Sequence, residues 1–246
     1  MSSSPTLTLL DPHASYEPFP PVEMAWDEPN GLLAVGGDLT SERLMNAYAS
    51  GIFPWFNHNE PIYWWSPTPR AVLFPAKMKI SRSLRKTARN KGYRVSFDED
   101  YSAAMSACAA PRAYSDSTWI TSEMYQAYMQ LHHLGHAHSV EVRNAKNELV
   151  GGLYGVVYRG VFCGESMFST ERDTSKIALL ALIIHMEKWG YTMVDCQLES
   201  DHLLSLGAEL MPRENYIRRI KSSVIPPSHS WEIDENIDIS RWKPPA

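Results

Sequence analysis

Asp195 and Gln197 are a carboxylate and an amide at a spacing that lets them act together on one hydrogen-bond donor. They stand two apart in Thr192–Leu198, a stretch with strand composition, so their side chains share one face while Val194 and Cys196 point to the other. A carboxylate and an amide side by side at a strand end can accept hydrogen bonds from an incoming N–H. A Gln amide is too weak a base to hold a proton. The plainer reading is a polar strand end without chemistry. Glu165 lies in the otherwise apolar run Cys163–Phe168 and needs either an internal Arg or Lys partner or a polar cavity. No Ser-His-Asp order or activated-cysteine motif points to a covalent intermediate.

Other candidates are weaker. Cys108, Cys163 and Cys196 are widely spaced and odd in number, which suits reduced thiols rather than a disulfide framework or a zinc knuckle. His132, His133, His136 and His138 cluster, but H-E-x-x-H and its relatives are absent. They are therefore read as surface and packing residues, with no metal site expected. Net charge is −5, yet Lys77, Lys79, Arg82, Arg85, Lys86, Arg89, Lys91 and Arg94 fall in a segment without an acid. That segment carries +8 and leaves −13 for the remainder, so a polyanion and a cationic partner could bind different faces. No apolar run approaches the ~18 residues of a membrane span, and the N-terminus lacks the pattern of a secretory signal. A cytoplasmic protein is expected.

The elements that must position these residues follow from periodicity and punctuation. With 44% apolar residues, the 246-residue chain can build a substantial core. Helices are predicted from Thr40 to about Ser50, over Ile80–Lys91, from Thr121 to Gly135, and over Ser175–Trp189 with Thr174 as cap. Shorter helices are expected near Asp201–Leu206 and Arg213–Ser222. In the second of these, Arg82, Arg85, Lys86 and Arg89 share a face. Strands are predicted at Ala71–Phe74, Tyr93–Phe97, His138–Val142, Leu149–Tyr158, Gly160–Phe168 and Thr192–Leu198, with a tight turn at Tyr158-Arg159-Gly160. This is an α+β pattern, a mixed antiparallel sheet flanked by helices. The proline- and aromatic-rich stretch 55–69 reads as a rigid connector, dividing a small N-terminal domain (1–68) from a larger one (69–246). Met1–Pro21 and Ser222–Ala246 read as arms or packed tails.

Nine runs, in order, carry a resemblance: Glu28-Pro-Asn-Gly-Leu-Leu-Ala-Val-Gly-Gly-Asp38, Gly51-Ile-Phe-Pro-Trp-Phe56, Tyr63-Trp-Trp-Ser-Pro67 with Pro69-Arg-Ala-Val72, Thr118-Trp-Ile120, Ala137-His-Ser-Val-Glu141, Val150-Gly-Gly-Leu-Tyr-Gly155, Phe162-Cys-Gly-Glu-Ser-Met-Phe168, Asp195-Cys-Gln197 and Ser205-Leu-Gly-Ala208. Together they resemble the leucyl/phenylalanyl-tRNA–protein transferases, over roughly Glu28 to Ile220.

The resemblance implies a GNAT-like acyltransferase domain and transfer of Leu or Phe, with Met a further candidate, from aminoacyl-tRNA to the α-amine of proteins beginning with Arg or Lys. It also implies that the products are marked for degradation by the N-end rule. The donor ester is already activated and part of the α-amine population is neutral at pH 7, so no cofactor is needed and alignment supplies much of the rate. The segment Ser169–Thr174 has no glycine and two acids, which disfavours a CoA pyrophosphate as donor handle. The resemblance makes Asp195 and Gln197 catalytic, with the Gln197 carbonyl orienting the amine and stabilising developing positive charge and Asp195 fixing the amide, and it puts Glu165 against substrate. The Leu/Phe pocket would draw on Leu153, Met167, Leu182 and Val194, which otherwise read as plain core. Trp55 and Trp119 are stacking platforms for an unpaired adenine or else core tryptophans. The face of Arg82, Arg85, Lys86 and Arg89 either grips the tRNA acceptor stem or is simply solvated. Ser200 stands in Leu198-Glu-Ser-Asp-His202, where other members more often carry Asn or Thr, and is a tentative substrate contact. A monomer is expected.

Overall fold

The computed structural model describes residues 7–110 and 119–244; Thr118 of the Thr118-Trp-Ile120 run lies outside them. The chain builds two sheets. The first uses β1 (Thr8–Leu10), β2 (Leu32–Gly36), β3 (Phe53–Pro54) and β4 (Tyr63–Trp65), with α1 (Ser41–Ala49) between β2 and β3. Its order is β1-β2-β4-β3, with only β1 and β2 parallel. Thr40 caps α1 as expected, its hydroxyl accepting the Arg43 N–H at 3.3 Å. The four strands were not anticipated. At two to five residues each, they are too short to display an alternation.

The second sheet begins with β5 (Arg70–Leu73), and α2 (Arg82–Asn90), β6 (Arg94–Phe97), α3 (Tyr101–Ala109) and α4 (Ser122–His133) follow. Next come β7 (Ala137–Arg143), β8 (Leu149–Tyr158), β9 (Val161–Ser169), α5 (Thr174–Trp189), β10 (Met193–Gln197), α6 (Asp201–Ser205), β11 (Glu209–Met211) and α7 (Arg213–Ser222). The order is β11-β5-β10-β9-β8-β7-β6. β9 and β10 are the parallel pair in an otherwise antiparallel sheet, and α5 makes the crossover that parallel neighbours require. The result is the α+β class read from the sequence: mixed sheets flanked by helices, with an N-terminal unit ahead of the larger sheet. The β8–β9 turn is the expected one, with Arg159 at φ 50°.

Each face of the large sheet has its own core. α5 covers one, bringing Leu179 and Leu182 together with Leu153, Phe162 and Val194. On the other, Tyr48 of α1, Met105 of α3 and Tyr128 of α4 meet Val72, Cys163 and Met193. Residues 231–242 run back over the α5 side, laying Trp231, Ile237 and Trp242 against that core, so this tail is packed. Two local expectations need correction. Thr174 does not cap α5: Asp173 stands at the cap, and Thr174 is the first helical residue, fully buried, its hydroxyl bonded to the Val150 carbonyl at 2.7 Å. α3 was not anticipated. Its run Tyr-Ser-Ala-Ala-Met-Ser-Ala-Cys-Ala has no charged face to reveal a period, although Asp100 caps it by accepting the Ala103 N–H.

Candidate active site

β10 runs parallel to the first part of β9, and Gln197 at the carboxyl end of β10 meets Glu165 from the middle of β9. The chain breaks regular register in β10 between Asp195 and Gln197, where Gln197 takes φ 63°. A left-handed conformation costs a non-glycine residue about 1–2 kcal/mol, so something must hold it. That something is Asp195, whose Oδ1 accepts the Gln197 N–H at 2.9 Å.

Asp195 itself is fully buried. Arg70 grips it from β5 with two parallel bonds, Nε to Oδ1 at 2.8 Å and Nη2 to Oδ2 at 2.6 Å. Tyr216 of α7 donates to Oδ2 at 2.5 Å. Four donors saturate a carboxylate. The expectation that Asp195 meets the incoming amine, and that it fixes the Gln197 amide, is therefore corrected. Asp195 sets the backbone of Gln197, and its oxygens are already taken. Arg70 is sandwiched between the rings of Phe53 and Tyr216 at 4.7 and 4.6 Å and also bonds the Gly51 carbonyl. Burial works against its charge, but Asp195 outweighs that and drives its pKa up. Gly51 lets α7 approach: at φ 72°, an added Cβ would stand 2.3 Å from the Ile217 side chain and 3.0 Å from the Tyr216 ring.

The side-chain amide of Gln197 is fixed by Glu165. Its Nε2 donates to Glu165 Oε1 at 3.0 Å, which leaves the Gln197 carbonyl oxygen as an acceptor for something else. Two buried tyrosines complete the group: Tyr48 donates to Oε1 at 2.8 Å, Tyr128 bonds Oε2 at 3.1 Å, and the two hydroxyls are 2.5 Å apart. The three contacts among Tyr48, Tyr128 and ionised Glu165 share two hydroxyl protons; a third proton would satisfy all of them. Desolvation, aided by the Asp195 charge and opposed by the tyrosine and Gln197 bonds, raises the Glu165 pKa to about 7. Among the described residues no Arg or Lys pairs with Glu165, so the internal ion pair weighed for it is not formed.

A cavity of about 270 Å³ opens beside this group. Its wall is apolar at Leu153, Phe162, Met167, Leu179, Leu182 and Val194 and polar at Glu165, Gln197, Ser200 and His202, and Trp119 also lines it. Every candidate proposed for catalysis or substrate contact is in its wall except Trp55. Asp195 is in that wall too, but its carboxylate is turned into the Arg70 network. Trp55, 42% exposed, borders a smaller space of about 90 Å³ that shares Trp119, Glu165 and Gln197 with the first. Glu165 and Gln197 thus stand where two openings meet. Ser200 caps α6, accepting the Leu203 N–H at 3.2 Å.

α2 packs on α5 and carries the basic face. Arg82, Lys86 and Arg89 are exposed. Arg85 is not part of that free surface: it is half-buried and donates to the carbonyls of Ser240 and Trp242 at 3.1 and 2.6 Å, clasping the C-terminal tail. Tyr48, Tyr128, Arg70 and Tyr216 were not named from the sequence. For Arg70 there was a signal, a lone arginine leading directly into the apolar run Ala71–Phe74, which must find a partner if the strand is buried. For the tyrosines there was none, since residues 48, 128 and 165 have no linear relation.

A sequence model described as leucyl/phenylalanyl-tRNA protein transferase matches residues 72–221, and the model of that family's N-terminal domain matches residues 37–68. The chain belongs to the leucyl/phenylalanyl-tRNA–protein transferase family. Transferases of that name are closely similar. The one from Pseudomonas syringae pv. syringae is 53% identical over 80% of this chain and 86% of its own length. The one from Ectopseudomonas mendocina is 51% identical over 86% and 93%, and that of Nitrosospira multiformis 53% over 84% and 88%. Among solved structures, FemX is 11% identical with a TM-score of 0.46, covering 70% of this chain and 66% of its own. L-PGS from Bacillus licheniformis is 14% identical with a TM-score of 0.37, covering 69% and 54%. Of the nine runs, those holding Trp119, Leu153, Glu165, and Asp195 with Gln197 line the cavity, and Arg70 binds Asp195 from β5.

Proposed function

We propose that this chain transfers a leucyl or phenylalanyl group from tRNA to the α-amine of a protein beginning with Arg or Lys, the family's reaction, and so marks that protein for degradation by the N-end rule in the cytoplasm. The observation that carries this reading is the junction of two openings at Glu165 and Gln197. The aminoacyl side chain lies against the apolar wall, where Met167 is pliant enough for either Leu or Phe. Glu165 receives an ammonium group. The Gln197 carbonyl accepts an N–H of the incoming amine and orients its lone pair towards the ester carbon. The new C–N bond forms as the bond to the ribose oxygen breaks, and the amine proton leaves with that oxygen. Trp119 and Trp55 offer aromatic faces for the 3′-terminal adenine at the rim. Arg82, Lys86 and Arg89 reach for acceptor-stem phosphates. No side chain forms a covalent intermediate, and no helix among the described residues is long and apolar enough to cross a membrane. We take residues 1–68 as a small domain and 69–246 as the catalytic one, acting as a monomer.

The test is transfer of radiolabelled Leu from Leu-tRNA to a peptide starting with Arg. Label in the peptide is the expected result. Acetyl-CoA turnover without tRNA would make the chain a small-molecule acetyltransferase, and tRNA binding without transfer would make it a binding module.

A further inference from the structure

Away from the cavity, Asp98, His132 and His138 each bring one potential donor atom to within 4.8 Å of the others. Their hydrogen bonds define what is available. His138 directs Nε2 at the Gly135 carbonyl, 3.2 Å away, and His132 directs Nδ1 at the Ala137 carbonyl, 2.8 Å away. Each ring therefore has one N–H pinned by backbone, the support that metal-bound histidines commonly have. The nitrogens left with lone pairs are Nδ1 of His138 and Nε2 of His132. Nδ1 of His138 sits 2.6 Å from Asp98 Oδ2, so the two donor atoms already face each other. Asp98 is held in turn, its Oδ1 taking the Ser139 N–H at 2.7 Å. Both rings are clamped: His138 stacks on Trp231 at 3.8 Å and 9°, His132 on Tyr101 at 4.2 Å and 4°. Glu141, fully buried, takes the Ser139 hydroxyl and places a second carboxylate close by.

We propose that Asp98, His132 and His138 form a site for a divalent transition-metal ion of the zinc class. Two imidazoles and a carboxylate are a zinc ligand set, with water completing a tetrahedron. At metal–ligand distances of ~2.0–2.2 Å the donors would stand roughly 3.3 Å apart, so the present spread closes by small side-chain rotations. The ion would staple the end of α4 to β7 and to the β6–α3 turn. Tyr128, one turn before His132 on α4, is the residue that bonds Glu165 in the cavity, so the same helix serves both places.

The experiment titrates Zn(II) into the metal-free full-length chain against a chromophoric chelator, and repeats it for His132→Gln and for His133→Gln, an exposed neighbour. One equivalent should bind with micromolar or tighter affinity. His132→Gln should lose at least the ~100-fold that loss of a supporting partner can cost, with His133→Gln unchanged. Zinc should raise the melting temperature of the parent and of His133→Gln, but not of His132→Gln, whose circular dichroism should match the parent. Absence of stoichiometric binding, equal binding by His132→Gln, or a Co(II) spectrum carrying thiolate charge transfer would each overturn the proposal.

Discussion

The carboxylate of Asp195 uses both oxygens on Arg70, Tyr216 and the Gln197 backbone, so its charge acts through a neighbour rather than on substrate. Stability and catalysis can be separated here. Arg70→Met leaves Asp195 as a buried charge without its counter-ion and should cost about 3–5 kcal/mol in urea denaturation. The double variant Arg70→Met/Asp195→Leu removes both charges and should recover most of that loss. It should remain inactive, because Gln197 no longer has an acceptor holding its left-handed backbone. A double variant as unstable as the single would refute the charge-pair argument. Glu165 gives a second separation. Its pKa is raised from 4.5 to about 7, so the folded state binds its proton more tightly than the unfolded chain does. Stability from this group is complete below pH 4.5 and lost as pH rises through 7. Glu165→Gln cannot ionise, and its melting temperature relative to the parent should climb between about pH 5 and 8. Calorimetry across that range checks it; a flat difference would mean that Glu165 does not titrate there.

At the scale of elements, α2 divides its cations between two tasks. Arg82, Lys86 and Arg89 face solvent, whereas Arg85 holds the carbonyls of Ser240 and Trp242. Neutralising Arg82, Lys86 and Arg89 together should raise the KM for charged tRNA and shallow its log–log salt slope by up to about 0.9 per lost phosphate contact. Arg85→Ala should leave that slope alone and instead hasten proteolysis of the tail. An unchanged slope in the triple variant would move the tRNA surface elsewhere. The four charges looked equivalent in sequence because helical spacing reports a shared face, not what lies over it. The same limit explains the rest. α1 and α4 were legible because caps, apolar spacing and stop glycines agree, α5 because a long apolar run ends at Gly190, and the β8–β9 hairpin because Arg159-Gly160 separates two long apolar runs. β2 and β4 were not, being short segments whose pairing comes from distant chain. The alternation of Val194 and Cys196 against Asp195 held, yet the kink at Gln197 was invisible, since it depends on Arg70 and Tyr216 fixing Asp195 from other elements. Thr174 misled because a threonine before an apolar helix has the look of a cap whether its hydroxyl turns to the helix or to Val150.

For the whole molecule, the site exists only where the two sheets meet. Tyr48 and Trp55 come from the N-terminal unit, Glu165 and Gln197 from the large sheet, and Arg70 ties them by reaching Gly51 and Phe53. The C-terminal tail closes the opposite side of that sheet, and its lock is legible at atomic scale. His185 on α5 directs Nδ1 to the Ala181 carbonyl at 2.8 Å and accepts the Asp234 N–H on Nε2 at 2.9 Å, which requires a neutral ring. Around it, burial lowers its pKa below 6.5, the Ala181 bond and Asp234 oppose that, and Lys188, itself paired with Asp234, adds to it. A base whose folded pKa is depressed contributes stability that is present above its unfolded value and lost as pH falls through the folded one. Below pH 6.5, then, protonation of His185 removes the acceptor for Asp234 and the tail should loosen. Limited proteolysis within 224–230 should quicken from pH 8 to pH 5. In His185→Gln the amide oxygen can accept the same N–H without titrating, so its proteolysis should change less over that range. Equal acceleration in both would place the pH sensitivity of the tail in another group and leave His185 as packing alone.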